Sequence, residues 1–236
     1  MVVGNINSSG RLVETYVKDV LNTTPSAGNT GNYVYVDSQG NDTGRRYVNY
    51  DEDIYVGYHY FETRFGEDQA EYDSIVQYPS GYGLSYTTFE QQLTNTPVID
   101  ADGNIQVDVD VKNTGNMAGK EVVQLYYTPP YTVGGLEKSS KNLVAFAITD
   151  LLAPGAAENV TLQFQLSDMA SYDSSDHVQA WVVEDGTYTV SLGKNAHDSW
   201  DLFDLEVSGV EKDDIPDNAK IKNLFSDVEQ GLDLMT

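Results

Sequence analysis

Apolar and polar residues alternate without a fault through Ile105-Gln106-Val107-Asp108-Val109-Asp110-Val111, which predicts a strand with one face buried and the other wet. The same extended texture returns at 122–128, 143–149, 160–166, 179–184, 187–192 and 200–207. Turn signals separate these runs. Asp100-Ala101-Asp102-Gly103 precedes the first and has hairpin character, and Asn113-Thr114-Gly115, Pro129-Pro130, Pro154-Gly155, Asp185-Gly186 and Gly193 follow in order. The two ends obey a different period. Val13, Tyr16, Val17, Val20 and Leu21 have helical spacing. Ile221, Leu224, Phe225 and Val228 form an i, i+3, i+4, i+7 stripe, with Pro216-Asp217 as a start and Gly231 as a stop.

Short strands punctuated by turns over residues 105–207 predict a mainly β chain built as an immunoglobulin-like sandwich. Texture then divides the chain into four zones. Residues 1–45 are rich in Asn, Gly, Ser and Thr and read as loops with short extended pieces. Residues 46–90 form a tyrosine-dense connector, residues 91–208 hold the sandwich, and residues 209–236 are a polar linker with a short helix. No repeat of 20–50 residues is visible.

Composition narrows the partners. In 236 residues, 37 acids face 13 bases, for a formal charge of −24. Such a surface repels phosphate backbones and anionic lipid, so nucleic-acid and membrane partners are disfavoured. No apolar run approaches the ~20 residues of a bilayer span. Met1-Val2-Val3-Gly4 lacks the basic and apolar regions of a signal peptide, so the cytoplasm is the expected compartment. With no Cys, disulfides, thiolate catalysis and Cys-ligated zinc are all excluded. The sequons at Asn7, Asn22, Asn41 and Asn159 matter only in a secreted chain.

A search for reactive constellations assigns no catalytic, cofactor-binding or metal-ligating residue. His59, His177 and His197 do not pair at metal-ligand spacing. Asp100-x-Asp102-Gly103-Asn104 has its glycine fourth, whereas a calcium loop needs it sixth, so a solvated turn is expected there. Gly-x-Ser-x-Gly elbows, phosphate loops and dinucleotide fingerprints do not occur. Carboxylate pairs are too common in this chain to inform. The tyrosines (Tyr47, Tyr50, Tyr55, Tyr58, Tyr60, Tyr72, Tyr78, Tyr82 and Tyr86 within the connector) admit two readings. They bury an apolar body while the hydroxyl finds a partner, or they stack on sugar rings; burial is the preferred reading.

One run adds a family. Tyr78-Pro79-Ser80-Gly81-Tyr82-Gly83-Leu84-Ser85-Tyr86-Thr87-Thr88-Phe89 resembles the segment leading into the fibronectin type III-like domain of family 3 glycoside hydrolases, the β-glucosidase family. Further stretches resemble that family in the same order. Asn113-Thr114-Gly115 with Ala118 to Tyr126 is similar to the domain's signature turn and strand, and Leu152-Ala153-Pro154-Gly155 to its corner. Met169 to Asp173 and Gly186 to Val190 are similar to its last strands and their approach. Upstream, Ser9-Gly10-Arg11-Leu12 resembles the closing stretch of the family's α/β sandwich domain, and Ile54 to Tyr60 the aromatic connector. The glycines at 81 and 83 suit tight turning beside bulky tyrosines, and Asn113-Thr114-Gly115 suits a turn with positive φ. Three positions depart from the pattern: Ser80 stands where the family usually has Phe, Asp53 where it has Gly, and His59 where it has Arg.

The resemblance implies a parent enzyme that hydrolyses terminal β-glucosides by a retaining mechanism with two carboxylates, a nucleophile Asp on a barrel domain and an acid/base Glu on the α/β domain. Neither Ser-Asp-Trp nor Thr-Asp-Trp, the nucleophile's motif, occurs here, and a (β/α)8 barrel takes about 250 residues alone. The chain is therefore expected to be the non-catalytic fibronectin type III-like portion, with the tail end of the α/β domain in front. Its expected partners are the barrel and α/β domains of the parent, with no cofactor, and β-glucoside as substrate only in the full enzyme. Residues 211–236 resemble the linker into the barrel in members with reversed domain order. The resemblance also makes the stretch around Ser9 to Leu12 extended, against the helical spacing that follows it, and extended structure is the expectation adopted. The rival reading is a stand-alone carbohydrate-binding or structural β-sandwich module.

Overall fold

The computed structural model describes residues 6–23, 33–47, 52–175, 178–212 and 220. The expected C-terminal helix lies outside these residues, as does His177. The chain opens with β1 (Tyr16–Val17), the single turn α1 (Val20–Thr23), and the hairpin β2 (Tyr33–Val36) and β3 (Asp42–Tyr47). Two helices follow, α2 (Tyr58–Phe65) and α3 (Gln69–Ile75), running straight into β4 (Val76–Tyr78). The rest is β: β5 (Phe89–Leu93), β6 (Asn104–Asn113), β7 (Val122–Thr128), β8 (Asn142–Ile148), β9 (Ala157–Gln165), β10 (Ser171–Asp173), β11 (Ala180–Val183), β12 (Gly186–Gly193), β13 (Ser199–Val207) and β14 (Val210–Lys212). A 3-10 turn at Leu166–Met169 ends β9.

Two antiparallel sheets face each other, as the alternation predicts. One has the order β5-β6-β9, the other β13-β12-β7-β8, and a small third sheet β10-β11-β14 stands beside them. Ile105, Val107, Val109 and Val111 of β6 meet Val123 and Leu125 of β7 and Tyr188, Val190 and Leu192 of β12 in one core. On β6 the alternation is exact in burial: every apolar residue from Ile105 to Val111 is inaccessible. The opposite face of β6 and β9 carries a wet ladder, where Gln163 Nε2 donates to Gln106 Oε1 (3.1 Å) and Thr161 Oγ1 to Asp108 Oδ1 (2.6 Å).

Strand β7 breaks the rule, since Val122 through Tyr127 are all buried. Its second face is covered by residues from the connector, so a strand that reads as half-wet is roofed on both sides. The N-terminal stretch is extended near residues 9–17, in line with the adopted expectation. Leu12 N–H donates to Tyr82 O (2.8 Å), Gly81 N–H to Leu12 O (2.7 Å), and β1 pairs with β4. Helical geometry is confined to Val20–Thr23. The exposure of Val13, Tyr16, Val20 and Leu21 explains why their helical spacing builds no longer helix: no apolar face is buried to hold one.

The turn at Asn113-Thr114-Gly115 needs a correction. None of its residues takes a positive φ. Glycine is required at 115 because a Cβ there would overlap Thr87 Oγ1 and approach Thr88 N to 2.7 Å. The neighbouring Asn113 is the structural centre, fully buried, with all its polar capacity used. Its Oδ1 accepts from Thr87 Oγ1 (2.7 Å) and Gly115 N–H (3.1 Å), while Nδ2 donates to Met117 O (2.8 Å) and Leu152 O (2.9 Å).

Candidate functional site

The roof over β7 is the most worked surface of the described chain. Helix α2 places Phe61 and Phe65 one turn apart, and they pack with Tyr72 of α3 and Val76 of β4 in a small second core. Asp68 starts α3 by accepting from Glu71 N–H (3.0 Å), an ordinary N-cap. The side of α2 turned to the sheet carries Tyr58, Glu62 and Thr63. Tyr58 stands edge-on to Tyr126 (6.4 Å between centroids), and its hydroxyl accepts from Leu143 N–H (2.9 Å). Thr63 Oγ1 accepts from Ser140 N–H (3.0 Å). Below Gly81, whose added Cβ would overlap Gln124 Oε1, Gln124 Nε2 donates to Lys194 O (2.9 Å) and Tyr126 OH donates to Gln124 Oε1 (2.9 Å).

At the centre, Glu62 is buried and shared. Tyr72 OH donates to its Oε1 (2.5 Å), and His197 Nδ1 lies 3.0 Å from its Oε2. The His197 ring stacks on Tyr72 at 3.7 Å and 10°, and its Nε2 sits 3.2 Å from Gln69 Oε1. Burial beside this carboxylate pushes the Tyr72 phenol far above its ordinary range, so it stays protonated and donates to Glu62. A second buried carboxylate, Glu121, takes Arg11 Nη2 at 2.8 Å and Gln91 Nε2 at 3.3 Å. Burial pushes the Glu121 carboxyl up, and the Arg11 guanidinium opposes that shift. Lys141 is half-buried, donates to Ser199 Oγ (3.0 Å), and is held below its ordinary value by loss of solvent. Glu62 ties the roof to the sandwich through His197, Glu121 ties the N-terminal stretch to it through Arg11, and Lys141 joins two parts of the sandwich itself. This chemistry fastens two layers; it leaves neither carboxylate open to a ligand.

A cavity lies elsewhere, at the end of the β5-β6-β9 sheet. It is a shallow groove of about 620 Å³ lined by Asn95, Asp100, Asn104, Gln106, Gln163 and Gln165 among others. Asp100 Oδ1 accepts from Asp102 N–H (2.9 Å) and Asn104 N–H (2.8 Å), and the Asn104 backbone bond above all holds its carboxyl below the usual range. Asp168 in the same groove accepts from Gln165 N–H (2.8 Å). Both acids hold their own loops. The expected turn at 100–104 is present, with Asp100 N–H donating to Asn104 O (3.0 Å). Its one lining aromatic, Phe164, is buried in the core.

Among the described residues, no group of three His, Cys, Asp or Glu could hold a metal ion, and no helix is long and apolar enough to cross a membrane. The connector tyrosines divide. Tyr72 is buried and Tyr55, Tyr58, Tyr60 and Tyr82 are partly buried, while Tyr78 and Tyr86 are exposed. Ser80 is buried, its Oγ bonding Val13 O (3.3 Å) and its carbonyl accepting from Ala196 N–H (2.8 Å), so it joins the N-terminal strand to the sandwich. Asp53 takes φ 46°, a conformation that favours glycine. His59 tilts against Tyr58 at 4.2 Å. The pairings Glu62–His197 and Arg11–Glu121 span 135 and 110 residues, and no local pattern announces them.

Fold and seam together define a fibronectin type III-like sandwich welded to a helical roof. The fibronectin type III-like domain model matches residues 121–196. The chain is 37% identical to β-glucosidase A of Butyrivibrio fibrisolvens over 217 residues, covering 84% of this chain and 24% of that protein. β-Glucosidase 3B of Thermotoga neapolitana superposes with a TM-score of 0.71 at 33% identity, over 89% of this chain and 26% of its own. The family 3 β-glucosidase of Bifidobacterium adolescentis does so at 0.70 and 26% identity, over 89% and 27%. The chain thus spans about a quarter of the length of these relatives. It corresponds to the C-terminal region of family 3 β-glucosidases, the region that carries their fibronectin type III-like domain.

Proposed function

We propose that this chain is the non-catalytic, fibronectin type III-like portion of a family 3 β-glucosidase, which buttresses the domains that cleave terminal β-glucosides. The observation that carries the reading is the seam: both buried carboxylates with ordered partners are spent on fastening other segments to the sandwich, Glu62 joining the connector to His197 and Glu121 holding Arg11 of the N-terminal stretch. The partners are the barrel and α/β domains, with residues 1–45 as the tail end of the latter, 46–90 as connector, 91–208 as sandwich and 209–236 as the linker toward a barrel in reversed order.

The test is direct. The purified chain incubated with an aryl β-glucoside is expected to release no aglycone above background. Turnover that a single Asp or Glu substitution abolishes would overturn the reading. Titration with cellobiose under Trp and Tyr fluorescence is expected to show no saturable change, since the groove at the sheet end offers no exposed aromatic face.

A further inference from the structure

The roof over the four-stranded sheet stops one strand short. On the covered face, Tyr126 pairs with Leu143, Gln124 with Phe146 and Val122 with Ile148, the register shift falling between Leu125 and Tyr126. The three β7 residues are buried, Tyr126 against Tyr58 and Gln124 against Gly81 of the connector. Their β8 neighbours are not: Leu143 is 41% exposed, Phe146 64% and Ile148 55%. Strand β8 is also the sheet's edge. Edge strands are ordinarily guarded by charge or proline, yet Asn142 to Thr149 holds neither, in a chain of net charge −24. A row of large apolar side chains on an unguarded edge is the signature of a surface that another protein covers.

We infer that the outer face of β8 is the docking surface for the catalytic portion of the longer β-glucosidase, through an apolar patch on that portion with a basic rim. This rests on the function proposed above and says where the buttress makes contact. Two observations choose the occupant. The row adjoins the connector–sheet interface at its Leu143 end, where Tyr58 of the roof accepts from Leu143 N–H of β8. The relatives also carry about three quarters of their length outside the matched region. The rim has an acid near either end of the row. Glu14 lies against Gly57, next to Tyr58 at the Leu143 end, and exposed Asp150 follows Ile148 at the other.

The test is a chimera of β-glucosidase A from Butyrivibrio fibrisolvens in which its matching region is replaced by this whole chain. Phe146→Glu with Ile148→Glu is compared with the unsubstituted chimera, and Phe146→Gln with Ile148→Thr serves as a milder pair. Val98→Glu with Val133→Glu, exposed elsewhere, is the control. Expected is at least a tenfold shorter thermal-inactivation half-life for both β8 pairs and none for the control, with the isolated chain's melting temperature unchanged by the milder pair. Active chimeras that all decay alike overturn the surface and leave the proposed function standing. Chimeras that are all inactive overturn both. A dimer of the isolated chain that the β8 substitutions dissolve makes the occupant a second copy, and overturns the inference as well.

Discussion

Asn113 shows what a single buried amide can hold. Four partners, from the connector (Thr87), its own turn (Gly115 and Met117) and the corner at Leu152, converge on it. Asn113→Ala strands four groups at once. Net hydrogen-bond contributions near 1 kcal/mol each, less some relaxation, give a loss of about 3 kcal/mol by urea titration. In a chain of this size that is a fall of about 6–12 °C in melting temperature. Asn113→Asp is expected to cost at least as much, because a carboxylate would face the Met117 and Leu152 carbonyls; a neutral result would contradict the network. His59 sets a pH dependence. Burial holds its imidazole below the ordinary value, with a bond to the Ile54 backbone opposing. A depressed histidine adds stability that is present above about pH 6.5 and is lost as pH falls through the lowered value. Melting curves between pH 7.5 and 5 should therefore fall less steeply for His59→Gln than for the parent chain. Equal slopes would show that the buried ring does not titrate with unfolding. The sequence marked Asn113 as part of a signature turn, yet its partners Thr87 and Leu152 lie 26 and 39 residues away and could not be read from spacing.

At the scale of elements, alternation was enough to locate β6, β7, β8, β9, β11, β12 and β13, each within a few residues of its run. The missed strands have physical reasons. Phe89-Glu90-Gln91-Gln92-Leu93 shows only two apolar residues, four apart, a spacing that suits a helix as well, and β10 and β14 are three residues each. Helix α2 was illegible for another reason. Tyr-His-Tyr-Phe-Glu-Thr-Arg-Phe is rich in weak helix formers, and tertiary burial of Phe61 and Phe65 is what holds it. That dependence makes the seam testable. Glu62→Ala leaves Tyr72 OH and His197 without their shared acceptor, at a cost of about 2 kcal/mol. The loss should fall on the roof. Amide exchange should quicken through 58–75 while β6 and β9, which share no residue with the seam, keep their protection. Uniform quickening would mean that roof and sandwich unfold as one unit.

At the scale of the whole molecule, family membership was legible because several turn and strand motifs keep their order, each with a steric or hydrogen-bonding reason to persist. The uncovered face of β8 was not, since a two-residue period cannot say what lies above a sheet. Charge is the remaining global property, and its effect can be given a sign. The described ion pairs are few: Arg11–Glu121, Arg46–Asp42, Lys138–Glu184, Lys194–Asp198 and the His197–Glu62 contact. With 37 acids to 13 bases, most carboxylates have no cation to meet. Their mutual repulsion is largest in the folded chain, where they are closest, and it therefore opposes folding. The exposed pairs Arg46–Asp42 and Lys194–Asp198 contribute little, and Arg11–Glu121 is buried where salt screens poorly. Screening should thus remove more repulsion than attraction. Sodium chloride is expected to raise the melting temperature of the isolated chain by several degrees. The rise should level off near 0.5 M, once the screening length has shrunk to about 4 Å. Chloride is the informative choice, because sulfate would also strengthen apolar burial and confuse the two effects. A melting temperature that fell with chloride would mean that attractive pairs dominate the surface, contrary to the charge count.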